Sequence, residues 1–570
     1  MWGNVNMLYG PNVNPFDIDP GTAAASLNQT FGRLAQSHFV ERLWSRRVDL
    51  WSSDPDVQQS IANRLGWLDA ADVVAPQIPR LMAFADAIRT AGFTDVVLMG
   101  MGGSSLAPEV LRQVLGVAPG FPRFRVLDSV DPDAVRDAMA AAATSLFLFA
   151  SKSGGTIEPN AMAAEARRRV EAAGVGDWGS RVVAITDEGT ALHRRANDER
   201  FRDVFLNPST IGGRFSALSF FGLVPAALMG IDLGALVDGA RGMAEACRDH
   251  EPRTNAGVAL GAIMAAAALE GRDKLTVVLP ARLAPFGLWV EQLVAESTGK
   301  HGTGVVPVAG EGADAPIGGD RVTVVVHLGD ESPDAALPDR LRASGGPVVD
   351  IHMPDALSLG AEFFRWEIAT AAAGWLLDIN PFDEPNVKQA KDATDVLLRT
   401  YVAERSLPMP AAHALASGIR MTLTSAARTR LGGEPATRFL DLAQPGDYVA
   451  LLAYLPPEDD DRSAMLGDAR RRLGLATRCA TMFGFGPRYL HSTGQLHKGG
   501  GNNGLFVILT APSSDDLPIP GAPYSFGVLE EAQALGDFLS LDHTGRRALL
   551  LQLPGRDLAT LRLAFDLLMT

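Results

Sequence analysis

The chain has 570 residues, of which 47% are hydrophobic and 21% charged; that length implies several domains, and that composition excludes a mainly disordered protein. A net charge of -15 repels a phosphate backbone. The short basic runs Arg167-Arg168-Arg169 and Arg470-Arg471-Arg472 read as solvated helix faces with no interleaved aromatics, so nucleic acid is not expected as a partner.

Residues 1–85 read as an N-terminal helical region, with an irregular start and helical patterns over 23–52 and 56–65. The opening Met1-Trp2-Gly3-Asn4-Val5-Asn6 lacks the basic start and apolar core of a secretory signal. From 86 to 210, short apolar strands at 96–99, 125–127, 146–149 and 182–186 alternate with helices. That pattern predicts a doubly wound parallel sheet with its sites at the carboxyl ends of the strands.

Two strand-loop-helix units stand out in this block. Val96-Val97-Leu98-Met99 breaks into Gly100-Met101-Gly102-Gly103-Ser104-Ser105 before a helix over 106–115. Leu146-Phe147-Leu148-Phe149-Ala150 leads likewise into Ser151-Lys152-Ser153-Gly154-Gly155-Thr156 and a helix starting at Glu158 or Pro159. Glycines let a ligand approach the backbone, free amides at a helix start attract an anion, and the hydroxyls add donors. The pair suits a small phosphorylated substrate. Neither loop has the glycine spacing of a dinucleotide or nucleoside triphosphate site.

A second α/β block is expected over 211–400, with helices at 215–229, 236–248 and 256–270, strands at 275–279, 323–327 and 348–351, and a long helix over 361–377. The apolar stretch 217–237 is interrupted by Pro225 and Asp232, and the alanine-rich 256–269 is too short to span a bilayer, so both read as core helices. Within this block, Ile211-Gly212-Gly213-Arg214-Phe215-Ser216 offers a permanently charged guanidinium beside two glycines, suited to a phosphate or a developing enediolate. On this segment alone Arg214 equally reads as the partner of a carboxylate at a domain interface.

The helix Glu291-Gln292-Leu293-Val294-Ala295-Glu296 runs into a Ser297-Thr298-Gly299-Lys300 break. A carboxylate in a last helical turn faces the negative end of the dipole; shielded from water, its pKa rises toward that of a general base. Exposed, Glu296 is an ordinary solvated glutamate. Asn380-Pro381-Phe382-Asp383-Glu384-Pro385 then opens a helix on which Lys388 or Lys391 faces either inward or solvent.

Residues 401–570 predict a third, smaller α/β domain: a connection over 407–444 containing a helix with Met421 and Leu423, a strand at 448–454, an acidic linker at 458–461 and a basic helix. Strands at 479–483, 505–510 and 548–552 and a closing helix complete it. His491, in Arg488-Tyr489-Leu490-His491-Ser492-Thr493-Gly494-Gln495, can exchange protons near neutral pH or simply hydrogen-bond within its loop. His491 and His497 have no adjoining acid, so no metal is expected; Cys247 and Cys479, the only cysteines, make a disulfide framework or cysteine zinc site improbable and point to a reducing interior.

Taken together, the segments Gly100-Met101-Gly102-Gly103-Ser104, Ser151-Lys152-Ser153-Gly154-Gly155-Thr156, Gly212-Gly213-Arg214-Phe215-Ser216, Glu296-Ser297-Thr298-Gly299-Lys300 and Asn380-Pro381-Phe382-Asp383 resemble the successive signatures of the glucose-6-phosphate isomerase family. The chain is most similar to the isomerase half of bifunctional transaldolase/glucose-6-phosphate isomerases, including Asn63-Arg64-Leu65-Gly66-Trp67-Leu68. The resemblance implies two doubly wound parallel-sheet sugar-isomerase domains plus the C-terminal domain. It also implies Glu296 as the base moving a proton between C1 and C2, Arg214 stabilising a cis-enediolate, and Lys391 aiding ring opening. Gly103, Ser104, Ser151, Lys152, Ser153, Thr156, Gly213 and Gln292 fall on substrate-binding positions, and neither metal nor organic cofactor is called for.

Two departures from the family stand out. Glu384 replaces the usual glutamine after Phe-Asp, which leaves an isomerase for another anionic sugar, or a non-catalytic sugar-phosphate-binding module, as alternatives. The family's ring-opening histidine normally lies between the base and the lysine, whereas here His491-Ser492-Thr493-Gly494-Gln495 follows Lys391. In the familiar enzymes that histidine comes from a neighbouring subunit, so a homodimer is allowed, although His491 is expected to serve its own chain. The transaldolase half is missing, which implies a separate transaldolase in the same pathway, and a cytoplasmic location is expected.

Overall fold

A computed structural model describes residues 15–457 and 459–569. The opening Met1-Trp2-Gly3-Asn4-Val5-Asn6 stretch, and Glu458 of the acidic run, lie outside the described residues.

The strands fall into three sheets. Strand β1 (Phe16–Asp19) lies in the irregular start of the N-terminal region, ahead of its first helical pattern. Strands β2 (Asp95–Met99), β3 (Arg123–Leu127), β4 (Ser145–Ala150), β5 (Val182–Asp187) and β6 (Asp203–Asn207) form a parallel sheet in the order β3-β2-β4-β5-β6. In the second sheet, β7 (Lys274–Val278), β8 (Val306–Ala309), β9 (Arg321–Leu328) and β10 (Val348–Met353) run parallel as β10-β9-β7-β8, and β1 adds to β10 as an antiparallel edge. The third sheet contains β11 (Ala414–Ala416), β12 (Ile419–Leu423), β13 (Tyr448–Tyr454), β14 (Ala480–Phe485), β15 (Gly504–Thr510) and β16 (Arg547–Gln552), ordered β11-β12-β16-β15-β13-β14.

The parallel cores β3-β2-β4-β5, β8-β7-β9-β10 and β14-β13-β15-β16 share one winding: the first strand of each lies between its second and third. Such a reversal of strand order opens a crevice at the carboxyl ends of the two central strands, where α/β sheets bind ligands. β2, β4 and β5 are buried along their whole length, which is why they read as unbroken apolar runs and not as an alternation. One hydrophobic core joins the N-terminal helices to the second block and one face of the first sheet. Another lies between the opposite face of the first sheet and the third sheet and includes Ala295 of the Glu296 helix, and a separate core fills the outer face of the third sheet.

Several expectations are corrected. Met421 and Leu423 belong to strand β12, not to a helix; with Ile419 they place alternate apolar side chains against the third core, and β12 pairs antiparallel with β16. Residues 407–444 therefore contribute a hairpin to the third sheet, which has 6 strands. The acidic run is no linker: Asp459 caps the helix Asp460–Thr477, its Oδ1 accepting from the Arg462 amide at 2.9 Å. Neither arginine run is simply solvated. Arg168 and Arg169 pair with buried Glu165, and Arg470 donates to the Ala309 carbonyl at 2.8 Å. No helix among the described residues is long and apolar enough to cross a membrane.

Candidate active site

The two hydroxyl-rich loops leave the carboxyl ends of β2 and β4, the neighbouring strands at which the first sheet reverses its order. Each ends at the start of a helix, Leu106–Leu115 or Ile157–Ala172, so both present helix N-termini to one crevice. Ser151 Oγ accepts from the Gly154 amide at 3.1 Å and lies 3.2 Å from Thr156 Oγ1, which curls the second loop back on itself. Gly103 packs so tightly against the backbone of Gly213 that a Cβ would sit 2.0 Å from the Gly213 carbonyl oxygen. Gly102, at φ +54, likewise leaves no room for a side chain beneath the His491 carbonyl. These glycines bring three chain segments together around a cavity of about 600 Å³.

Glu296 enters this cavity from the helix Phe286–Thr298. Its Oε1 accepts from Arg214 Nη1 at 3.0 Å and its Oε2 from Gln292 Nε2 at 3.1 Å. Arg214 is itself almost wholly buried: Nε donates to Ser297 Oγ at 2.7 Å, and Nη2 donates to the carbonyls of Pro381 and Asp383 at 2.7 and 2.9 Å. The same Nη1 also lies 3.0 Å from Glu384 Oε2, so one guanidinium nitrogen serves two carboxylates. Lys300 Nζ bonds Asp383 Oδ1 at 2.7 Å just below, and burial there pulls its pKa down to about 8. The local charges are thus Arg214 and Lys300 against Glu296, Glu384 and Asp383. Burial raises the pKa of Glu296, Arg214 opposes and Glu384 reinforces the rise, and the net shift is upward, as a general base needs.

His491 reaches the cavity from the short 3-10 helix Arg488–His491, beyond β14 of the third sheet. This segment is clasped to the base helix. The His491 carbonyl accepts from Gln292 Nε2 at 2.9 Å, and Gln495 Nε2 donates to the Gly299 carbonyl at 3.0 Å and to Asn386 Oδ1 at 2.9 Å. Arg488 forks onto Asp128, just past β3, at 2.7 and 2.8 Å. The ring of His491 lies 2.8 Å from Glu158 Oε1, and Gln533 of the helix Phe526–His543 donates to that same oxygen at 2.6 Å. Burial acts to raise the pKa of Glu158, but the neighbouring imidazole outweighs it and holds the carboxyl below its ordinary range.

Glu296, His491, Lys391 and Arg214 all line the cavity, together with Gly103, Ser104, Ser151, Lys152, Ser153, Thr156, Gly213 and Gln292. Lys388 and Lys391 both reach its rim, but Lys388 is an exposed lysine paired with Asp392 at 2.8 Å, whereas Lys391 forms no ion pair among the described residues. The ring of His497 is buried with neither nitrogen hydrogen-bonded among the described residues, away from the cavity lining. Asp187 and Thr190, which the sequence reading does not single out, also line the cavity; Asp187 is the last residue of β5 and Thr190 lies just beyond it, where the fold rule points. Glu158 was noted only as a helix start, although an acid in the first turn after a phosphate-type loop is itself a signal. Gln533 carries none.

Comparison with known proteins shows which family the chain resembles. A model of the phosphoglucose isomerase family matches residues 80–313. A probable glucose-6-phosphate isomerase of Haloarcula marismortui is 31% identical over 428 residues, covering 67% of this chain and 92% of that protein. A glucose-6-phosphate isomerase from a Nostoc species is 32% identical over 282 residues, 47% of this chain and 50% of that one. Among solved structures, a hypothetical protein from Thermus thermophilus shares the fold, with a TM-score of 0.57 at 24% identity over 68% of this chain and all of that one. The chain belongs to the glucose-6-phosphate isomerase family.

Proposed function

We propose that this chain interconverts glucose 6-phosphate and fructose 6-phosphate by proton transfer through a cis-enediolate. The observation that carries the reading is the buried pair of Glu296 and Arg214 in the same cavity as the two hydroxyl-rich loops. With the sugar phosphate held by those loops, C1 and C2 lie toward Glu296. The ring opens when a proton leaves the anomeric hydroxyl and another reaches the ring oxygen, exchanges suited to His491, braced by Glu158, and to Lys391. Glu296 then removes the C2 proton of the open aldose, electrons move onto O1, and Arg214 faces the resulting negative charge. Return of the same proton to C1, with transfer of the O2 proton to O1, gives the ketose.

A base shared between two adjacent carbons needs only a short swing of one carboxylate, and its raised pKa strengthens it for taking the C2 proton. His491 from the same chain completes each cavity, so a homodimer is not required for chemistry. In this reading the enzyme works in the cytoplasm. The test is a coupled isomerase assay on the purified chain and on Glu296→Gln, whose amide keeps the shape of the carboxylate without its basicity. Turnover should fall roughly 10²–10⁴-fold with sugar-phosphate binding retained. Near-normal turnover in the variant would remove Glu296 from the role of base.

A further inference from the structure

The phosphate end of the cavity has a charge problem. Its one lysine, Lys152, is bonded to Asp187 through Nζ and donates to the Ser209 carbonyl at 2.9 Å. A cation committed to a neighbouring carboxylate adds little net charge to its surroundings, and hydroxyls and amides supply dipoles only. A further cation here would strengthen the hold on a phosphate dianion.

Arg64 lines the same cavity and has no carboxylate within ion-pair reach among the described residues; its guanidinium donates at 3.1 Å to the carbonyl of its own neighbour Asn63. Its position is tightly built. Leu65 bridges Ile211 antiparallel, and the Gly66 amide donates to the Thr210 carbonyl at 3.0 Å. Gly66 approaches Thr210 so closely that a Cβ would lie 2.2 Å from its Oγ1. Trp67 is fully buried and packs on Phe215 with ring centroids 5.1 Å apart. The half-buried Arg64 is thus fastened on its C-terminal side to the loop that carries Arg214. Its Cδ would lie 3.5 Å from a Cβ on Gly212, so the side chain runs over that loop.

We infer that Arg64, from the N-terminal helical region, is an uncommitted cation that binds the substrate phosphate, beside the two hydroxyl loops. The inference rests on the reading that this cavity holds a sugar phosphate. A guanidinium suits the role because its planar fork can donate two parallel hydrogen bonds to phosphate oxygens.

The test is calorimetric titration of inorganic phosphate into the whole protein and into Arg64→Gln and Arg64→Lys. Losing a charge-assisted bidentate contact should weaken phosphate binding roughly tenfold or more in Arg64→Gln, with Arg64→Lys recovering part of it. The melting temperature without phosphate should not change, which separates a lost ligand contact from a damaged fold. For the isomerase reaction, KM for the sugar phosphate should rise while kcat stays within a few-fold, since the phosphate does not react. Wild-type phosphate affinity in Arg64→Gln overturns the inference, and so does a wild-type protein that binds no phosphate. A protein that binds phosphate through Arg64 but isomerises no sugar would leave this inference standing and overturn the proposed function instead.

Discussion

His491 and Glu158 meet at 2.8 Å although 333 positions separate them, one on the third sheet's side of the cavity and the other in the first turn of a helix following β4. An imidazole that exchanges protons works best when one ring nitrogen is fixed by a carboxylate and the other faces the substrate. Glu158→Gln keeps a hydrogen-bonding side chain and removes the charge. We expect kcat to fall about 10- to 100-fold with KM little changed, by the usual effect of removing such an orienting partner. An unaltered kcat in steady-state assays would show that the histidine needs no such support.

Because His491 and Glu296 line one cavity of one chain, two defective chains cannot repair each other. Mixing Glu296→Gln with His491→Ala under conditions of subunit exchange should yield no activity beyond the sum of the two. Recovery toward wild-type turnover would mean that the histidine is shared between subunits.

Glu384 shares Arg214 Nη1 with the base and adds to the rise of the Glu296 pKa. Removing that charge with Glu384→Gln should lower the Glu296 pKa. The base must be ionised to act, so activity falls as pH drops through that pKa. The acidic limb of the kcat/KM profile should therefore move to lower pH in the variant. A limb that stays in place, or moves upward, would show that Glu384 does not influence the base.

Glu291 lies on the same helix but faces a different cavity, and burial raises its pKa from an ordinary 4.5 to about 7. A carboxyl whose pKa is higher in the folded state adds stability below the unfolded value and loses it as pH rises through the folded value. The loss thus develops between pH 4.5 and about 7. Glu291→Gln stays neutral and can still accept the Ala309 amide that now bonds Glu291 at 3.2 Å. At pH 8 the variant should be more stable than the wild type by on the order of 3 kcal/mol in chemical denaturation, with the difference vanishing toward pH 4.5. Equal stability at both pH values would place the ionised carboxylate in contact with water.

Much of the fold was legible because its signals are local. Unbroken apolar runs such as Leu146-Phe147-Leu148-Phe149 followed by Gly/Ser loops specify buried parallel strands and helix starts through backbone sterics and hydrophobic burial alone. For the same reason the hydroxyl loops, Arg214 and Glu296 were visible as candidates. Where the local signal was weak the reading failed: Ile419-Arg420-Met421-Thr422-Leu423 is a short strand between β11 and β16, and only those pairings decide against a helix.

What the sequence could not decide is which distant groups share a space. Whether Glu296 is a solvated glutamate or a buried base depends on the guanidinium of Arg214 and the carboxylate of Glu384 arriving from 82 and 88 positions away. Whether His491 joins the site depends on Gln495 clasping Gly299 and on Glu158 and Gln533 converging on its ring. The charge state of the phosphate end depends likewise on Lys152 being occupied by Asp187 while Arg64 is not. Electrostatic coupling falls off over a few ångströms and strengthens as water is excluded, so these properties belong to the packed tertiary structure and not to any single segment.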